Sequence, residues 1–493
     1  MHQALLISEV LLEIFTHLKT WNPPEPFIGH KSLVRKYLAA LARTCKAFYE
    51  PAMDLLWADF DSDEDLNPLF GCVTRLHPLI YDIDPTHDES TSPTRVEPLS
   101  ADETRQFLRH SHRVRSLHVS PEPFLYLLSA IPMEACVFPR LQSLHWWADT
   151  DEYFDLFRSR TLRRLSLWTL TKDLQSIVAR CDTLEDLSVG DYELYEPSLL
   201  SDSVSLCKRL VNLHCPLLDW AGWNHLSNIP TLLTVEDNIV PPWPSDQVFE
   251  DFSQFLNVTF LQFLLENVAY TIAIMELSQF PSLKEFEYII EEMTAAEAAQ
   301  LCRALSHCKA KQTLESINIL TLESQEPLGT FRTMIPHLLC LTQLQYLRLR
   351  CEDSFVYIDN DLLLKAMSAW PHLRHLDLET SYLYPSVTFR GLFTALRRCP
   401  HLHFLRIAVD IVNIDIDPNA ELTPHTSLEV LKLDTEPESP IPNAEALARL
   451  VFTWLPCVDQ VGAMGDYREH WEHWDEVNGH LHDLRDQKDR TRE

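Results

Sequence analysis

Leu344-Gln345-Tyr346-Leu347-Arg348-Leu349 is followed farther along by Leu373-Arg374-His375-Leu376-Asp377-Leu378 and then by Leu402-His403-Phe404-Leu405-Arg406-Ile407. In each stretch an aliphatic residue is followed at +3 and +5 by two more. The residues between the last two alternate with them, as in a short strand with one buried face. The same spacing gives Leu141-Leu144-Trp146, Leu162-Leu165-Leu167, Leu184-Leu187-Val189 and Leu428-Leu431-Leu433. Looser copies begin at Val114, Leu210, Leu232, Val258, Leu283, Leu314 and Val458. The starts recur every ~26 residues, which is a solenoid period.

Helical segments precede many copies. Thr294 and Glu297 form a capping box opening a helix over 298–306, and 362–370, 389–398 and 444–454 behave alike. The unit is therefore a strand plus a helix, an α/β fold, and it resembles a leucine-rich repeat of the long, helix-bearing kind. That resemblance implies a solenoid with a curved parallel sheet and outer helices, each unit burying its apolar face against the next. The family's asparagine three residues beyond the third aliphatic is replaced by Leu170, Ser381 and Glu436, which predicts irregular loops. Stacking the copies at ~4.8 Å gives an inner arc of roughly 60 Å, long enough to hold another folded protein.

Ahead of the repeats, Leu11, Ile14, Phe15 and Leu18 form a helical apolar stripe. Tyr37, Leu41, Cys45 and Phe48 repeat the device in a second helix, and Pro51 stands at the predicted start of a third that carries Met53, Leu56 and Trp57. About 55 residues enclose only a marginal core, so part of this apolar surface needs another cover. These residues resemble the F-box, the helical module that docks a receptor onto the Skp-type adaptor of a cullin ubiquitin ligase. The resemblance implies adaptor-binding roles for Leu6, Glu9, Leu12, Ile14, Phe15, Leu18, Leu41, Cys45 and Trp57. Ile7 stands where the family usually has proline, and the insert from Lys19 to Tyr37 is longer than the usual connection. The alternative reading is a helical hairpin that caps a larger domain.

Composition narrows the function. Lys and Arg number 41 against 72 Asp and Glu, a formal charge of −31 that repels phosphate backbones, so nucleic acid is not expected as a partner. The twelve cysteines contain no Cys-x-x-Cys pair and no charged-then-apolar leader precedes them, which predicts free thiols in cytosol or nucleus. The most apolar window, 258–277, holds Gln262, Glu266, Asn267 and Glu276 and does not read as a membrane span. With nine glycines and no phosphate-binding loop or nucleophile elbow, no catalytic residue, cofactor or metal is expected.

The predicted division is an F-box over 1–60, an acidic, proline-containing linker and leading helix over 61–110, repeats over 111–465, and a capping helix with a charged tail over 466–493. A capping box at Ser100 and Glu103 opens the leading helix, and Trp471, Trp474, Val477, Leu481 and Leu484 form the stripe of the final one, before the charged run from Arg485.

Positions +2, +4 and +6 of each copy should face away from the helices. Trp147 and Trp168 share +6 in consecutive copies, with His145 and Arg164 nearby; these four are the candidate substrate-binding residues, unless a loop folds over both rings. Arg348, Asp377 and Arg406 share +4, and Arg350 faces Glu379 at +6, which favours an internal ion ladder over a site for an acidic tail. His470, His473, His480 and His482 read as a solvated helix face rather than metal ligands. The loop Val240-Pro241-Pro242-Trp243-Pro244 is either a partner handle or a stiff spacer.

The expected function is that of a substrate-recognition subunit of a Skp-cullin-F-box ubiquitin ligase, holding a protein substrate on its repeats. A repeat scaffold unconnected to ubiquitination is the alternative; an enzyme built from solenoid loops lacks any supporting signature.

Overall fold

The computed structural model describes residues 7–20, 30–60, 66–81, 96–120, 125–131, 137–148, 153–157, 159–169, 174–190, 197–238, 254–264, 268–323, 332–351, 356–380, 385–416, 423–434, 441, 443–462 and 472–490. Leu6, Leu170, Ser381, Glu436, His470, Trp471 and the 240–244 loop lie outside them. The chain forms two compact units, Met1–Leu218 and Asp219–Glu493.

The first unit opens with three helices, α1 (Ser8–Thr20), α2 (His30–Ala42) and α3 (Lys46–Leu56), followed by strand β1 (Asp59–Phe60) and short helices α4 (Asn67–Gly71) and α5 (His77–Tyr81). After α6 (Ala101–Ser111) come β2 (Ser116–Val119), β3 (Ser143–Trp146), β4 (Arg164–Leu167), α7 (Leu174–Val178), β5 (Asp186–Val189), α8 (Pro197–Ser205) and β6 (Asn212–Pro216). Neighbouring strands pair in parallel and in sequence order from β1 to β6.

The second unit runs α9 (Trp220–Ser227), β7 (Thr234–Asn238), β8 (Phe260–Leu264), α10 (Val268–Leu277), β9 (Glu285–Glu292), α11 (Ala295–His307), β10 (Ser316–Glu323), α12 (Met334–Leu338) and β11 (Tyr346–Cys351). It continues with α13 (Asn360–Ala369), β12 (His375–Thr380), α14 (Phe389–Leu396), β13 (Phe404–Ala408), β14 (Val430–Asp434), α15 (Ala444–Trp454) and α16 (Glu472–Arg490). Its strands also pair parallel in order. In each unit this is the α/β solenoid of strand-plus-helix repeats that the hexapeptides predict.

Register explains the core. Leu347 pairs with Leu376, Leu376 with Leu405 and Leu405 with Leu431, so equivalent aliphatic positions form continuous rows. All four are buried. Truncating one such leucine to alanine removes about 2–5 kcal/mol, because neighbouring repeats refill the void only partly. The expected capping boxes at Ser100/Glu103 and Thr294/Glu297 are both formed.

Several elements depart from expectation. The described residues of 61–110 are not a plain linker: Leu69, Phe70, Val73 and Leu76 are buried, and just ahead of them Phe60 joins the sheet by pairing with Leu117. The sheet thus begins before the first predicted copy. At the other end the copy at Val458 is reduced to one bridge between Leu431 and Val461. Helix α2 stops at Ala42, and Cys45, extended at φ −157° and ψ 164°, precedes α3, which places Pro51 inside that helix rather than at its start. Residues 485–490 belong to α16, where Arg485 binds Asp459 and the Val458 carbonyl.

A threonine ladder also emerges at the N-terminal ends of the strands. Thr161, Thr183 and Thr313 each donate a 2.8 Å hydrogen bond to the carbonyl of the first leucine in the preceding copy, Leu141, Leu162 and Leu283. No helix among the described residues is long and apolar enough to cross a membrane.

The α13/α14 contact supplies a test of the packing. Asn360 accepts from the Thr388 amide at 2.9 Å and donates to its hydroxyl, while a Cβ on Gly391 would lie 1.8 Å from Asn360 Oδ1. Gly391→Ala must expel that amide and leave the Thr388 amide unpaired. We expect a loss of about 1–3 kcal/mol, read as a lower melting temperature, although alanine is the better helix former. An unchanged melting temperature would contradict this packing.

Candidate functional site

Strand alternation sends the aliphatic side chains of β2–β6 toward the helices and leaves a polar and aromatic face opposite. Its +4 row reads His118, His145, Ser166, Ser188 and His214; its +6 row includes Ser120, Trp147, Trp168 and Gly190. Trp147 and Trp168 stack with centroids 4.9 Å apart, and His118 lies 5.1 Å from Trp147 and 6.0 Å from His145. Trp147 and Trp168 remain 41% and 46% exposed, so no described segment buries them. His145 joins the cluster. Arg164 does not: it sits in the +2 row, in register with Ser143 and Asp186, and four residues of strand put it ~13 Å from Trp168.

The helical module has a core and an outer face. Leu11, Phe15, Val34, Leu38, Ala42, Ala52 and Leu55 fill the core, with Leu12 and Leu41 packed against it. Phe15 is therefore a core residue, edge-on to Phe48 at 5.4 Å. Outside lie Glu9, with Ile7 just before α1, Ile14 and Leu18 on it and Leu33 and Tyr37 on α2, these last five apolar and at least 39% exposed. Cys45 is half-buried at the N-terminus of α3. Trp57 faces inward, stacked on His110 of α6 at 4.4 Å. Beside it Arg113, itself buried, binds Glu50 at 2.5 Å and Asp54, and Arg35 donates to the Asp59 carbonyl at 3.0 Å. The helices are thereby fastened to the first strands of their unit.

In the second unit the same face carries the expected charge ladder. Arg348 meets Asp377 at 3.3 Å, Arg350 meets Glu379 at 3.5 Å, and Arg406 bridges Glu379 at 2.6 Å and Asp434 at 2.9 Å. Burial pushes the Asp377 carboxyl up, and Arg406 and Arg348 oppose that shift. Each arginine faces a carboxylate on a neighbouring strand, which favours internal compensation over capture of an acidic tail. Alongside, at +2, Tyr346, His375 and Phe404 stack at 4.2 and 4.0 Å, a column that the leucine spacing did not single out.

On α16, His480 and His482 pair with Glu476 and Asp486, and no group of three or more His, Cys, Asp or Glu among the described residues is arranged to hold a metal. The described face presents stacked rings, hydroxyls and imidazoles on a fixed backbone, a surface suited to side-chain recognition.

No family model matches this chain, and no curated protein does. Among solved structures it is similar to the APL1 leucine-rich repeat domain, at 14% identity over 76% of this chain and 86% of that one, with a TM-score of 0.32. It is also similar to a chain of the yeast Rad7 and Elc1 complex, at 12% identity over 73% of this chain and 98% of that one, with a TM-score of 0.26.

Two histidines make stability depend on pH. Burial, reinforced by Arg348 and Lys432, lowers His375 to about 4; burial, with Arg109, Arg113 and His112, does the same to His110. The unfolded chain therefore takes up these protons first. The stability they contribute is complete above the ordinary value of ~6.5 and is lost as pH falls toward 4. We expect the melting temperature to drop over that window, and His375→Phe, which keeps the ring column, to make the drop shallower. An unaltered slope in the variant would remove His375 from this account.

Proposed function

We propose that this chain is a non-catalytic receptor that docks on a Skp-type adaptor of a cullin ubiquitin ligase through α1 and α2, and holds a protein partner on its repeats. One observation carries the adaptor half. Ile14, Leu18, Leu33 and Tyr37 stay exposed on helices whose other face already has a packed core, and Ile7 is exposed just before α1. Exposed apolar side chains along each of two helices mark an interaction surface, and those of α1 coincide with the part of the sequence that resembles the F-box. Of the nine residues which that resemblance implicates, Ile14, Leu18 and Glu9 are exposed and would touch an adaptor, with Leu12 and Leu41 at the margin. Phe15 and Trp57 would act indirectly, by shaping the module and fixing it to the repeats.

The catalytic work in such an assembly belongs to other subunits. A receptor raises the rate by holding its partner close to the ubiquitin carrier, which converts a bimolecular encounter into a local one. The aromatic face of the first unit supports the partner half of the reading, since exposed tryptophans are enriched in interface hot spots.

The full chain should retain a Skp-type adaptor at micromolar concentration in a pull-down or calorimetric titration. Ile14→Asp with Leu18→Asp places two charges on exposed positions, where the fold tolerates them, and should weaken capture about a hundredfold or more with the melting temperature maintained. If the unaltered chain retains no adaptor, the ligase reading falls and a repeat scaffold outside ubiquitination takes its place.

A further inference from the structure

Trp168 has unlike neighbours on its two sides. Trp147, the residue after β3, covers one ring face, while the residue across from it just after β5 is Gly190. Trp147 is the one ring stacked on Trp168 among the described residues. Nothing in the backbone calls for glycine there: Gly190 lies outside the left-handed region, its amide continues the ladder to the Leu167 carbonyl at 2.9 Å, and an added Cβ would meet only backbone, at 3.5 Å or more. Glycine at this point leaves space. Ser166 and Ser188, small and half-buried, continue the same low floor.

The charge around this recess selects its occupant. The +4 and +6 rows of β2–β5 contain no lysine or arginine. Arg164, in the +2 row, lies in register with Asp186. The molecule as a whole carries a formal charge of −31. The face of an indole attracts cations more strongly than any other side-chain ring. Elsewhere the same chain seats Lys432 over Phe404 at 5.1 Å and Arg35 over Phe60 at 5.7 Å.

We propose that the open face of Trp168, above Gly190 and Ser188, seats a guanidinium or ammonium group from a basic, extended segment of the protein partner. This rests on the reading of the repeats as a protein-binding surface and is independent of adaptor docking. Recognition then combines a stacked cation with long-range attraction, and it weakens as salt rises.

The probe is a fluorescein-labelled peptide of alternating arginine and glycine, titrated with the full chain and read by anisotropy, beside the same peptide with citrulline in place of arginine. The arginine peptide should bind about tenfold or more tightly than the citrulline one. Gly190→Leu, which fills the recess, and Trp168→Ala should each weaken it by about tenfold without altering net charge or melting temperature. Equal binding by the variants would reduce the effect to general attraction by an acidic molecule and overturn the site. Equal binding of the citrulline peptide would overturn the cation in favour of an apolar or proline-rich segment. If Trp168→Ala does not fold, Gly190→Leu carries the test alone, since its Cβ has room. Loss of adaptor capture with peptide binding intact would sink the adaptor reading and leave this one standing.

Discussion

Each repeat carries aliphatic side chains at +3 and +5 that only the next repeat can cover. From that constraint follow the parallel pairing, the alignment of Leu347, Leu376, Leu405 and Leu431 into one row, and the need to terminate the stack at both ends. At the start, β1 and helices α4 and α5 supply the cover, with Leu69 and Phe70 driven into the interior. At the finish α16 lays Trp474, Val477 and Leu481 against the last repeat, and Asn478 exchanges two hydrogen bonds with the Val461 backbone, as a further strand would.

What was legible in the sequence is what the constraint repeats. The +3 and +5 positions recur often enough to place β2 to β14, and the helices with polar caps were found through Ser100, Thr294 and their glutamates. Segment 61–110 was opaque because its acidic run and prolines resemble a linker, while Leu66, Leu69, Phe70, Val73 and Leu76 sit on turns too short to show a helical period. The threonines before Leu162, Leu184 and Leu314 were visible all along, but a hydroxyl that bonds to a neighbouring repeat leaves no mark in hydropathy.

The candidate sites divide along the same line. Trp147 and Trp168 could be paired from their shared +6 position because parallel register keeps equal positions adjacent. Arg164 could not be judged without the distance along a strand, which separates +2 from +6. On α1 the stripe of Leu11, Ile14, Phe15 and Leu18 looked like a single face, yet it is split: Leu11 and Phe15 turn inward and Ile14 and Leu18 outward. A helical period reports amphipathicity and not which half of a wide stripe the core consumes.

The clamp of Arg113 on Glu50 and Asp54, with Trp57 lodged on His110, has a consequence for any ligand held by this unit. The exposed face of α1 and α2 and the tryptophan pair fall within one compact unit, in which that clamp ties the helices to the strands. A flexible tether lets a bound molecule sweep through many orientations and forgives differences in its size. A fixed bracket presents the same flank of its passenger every time. If this unit holds a partner as proposed, selectivity comes from where on that partner a reactive group lies as well as from whether it binds, and two ligands of equal affinity have unequal fates.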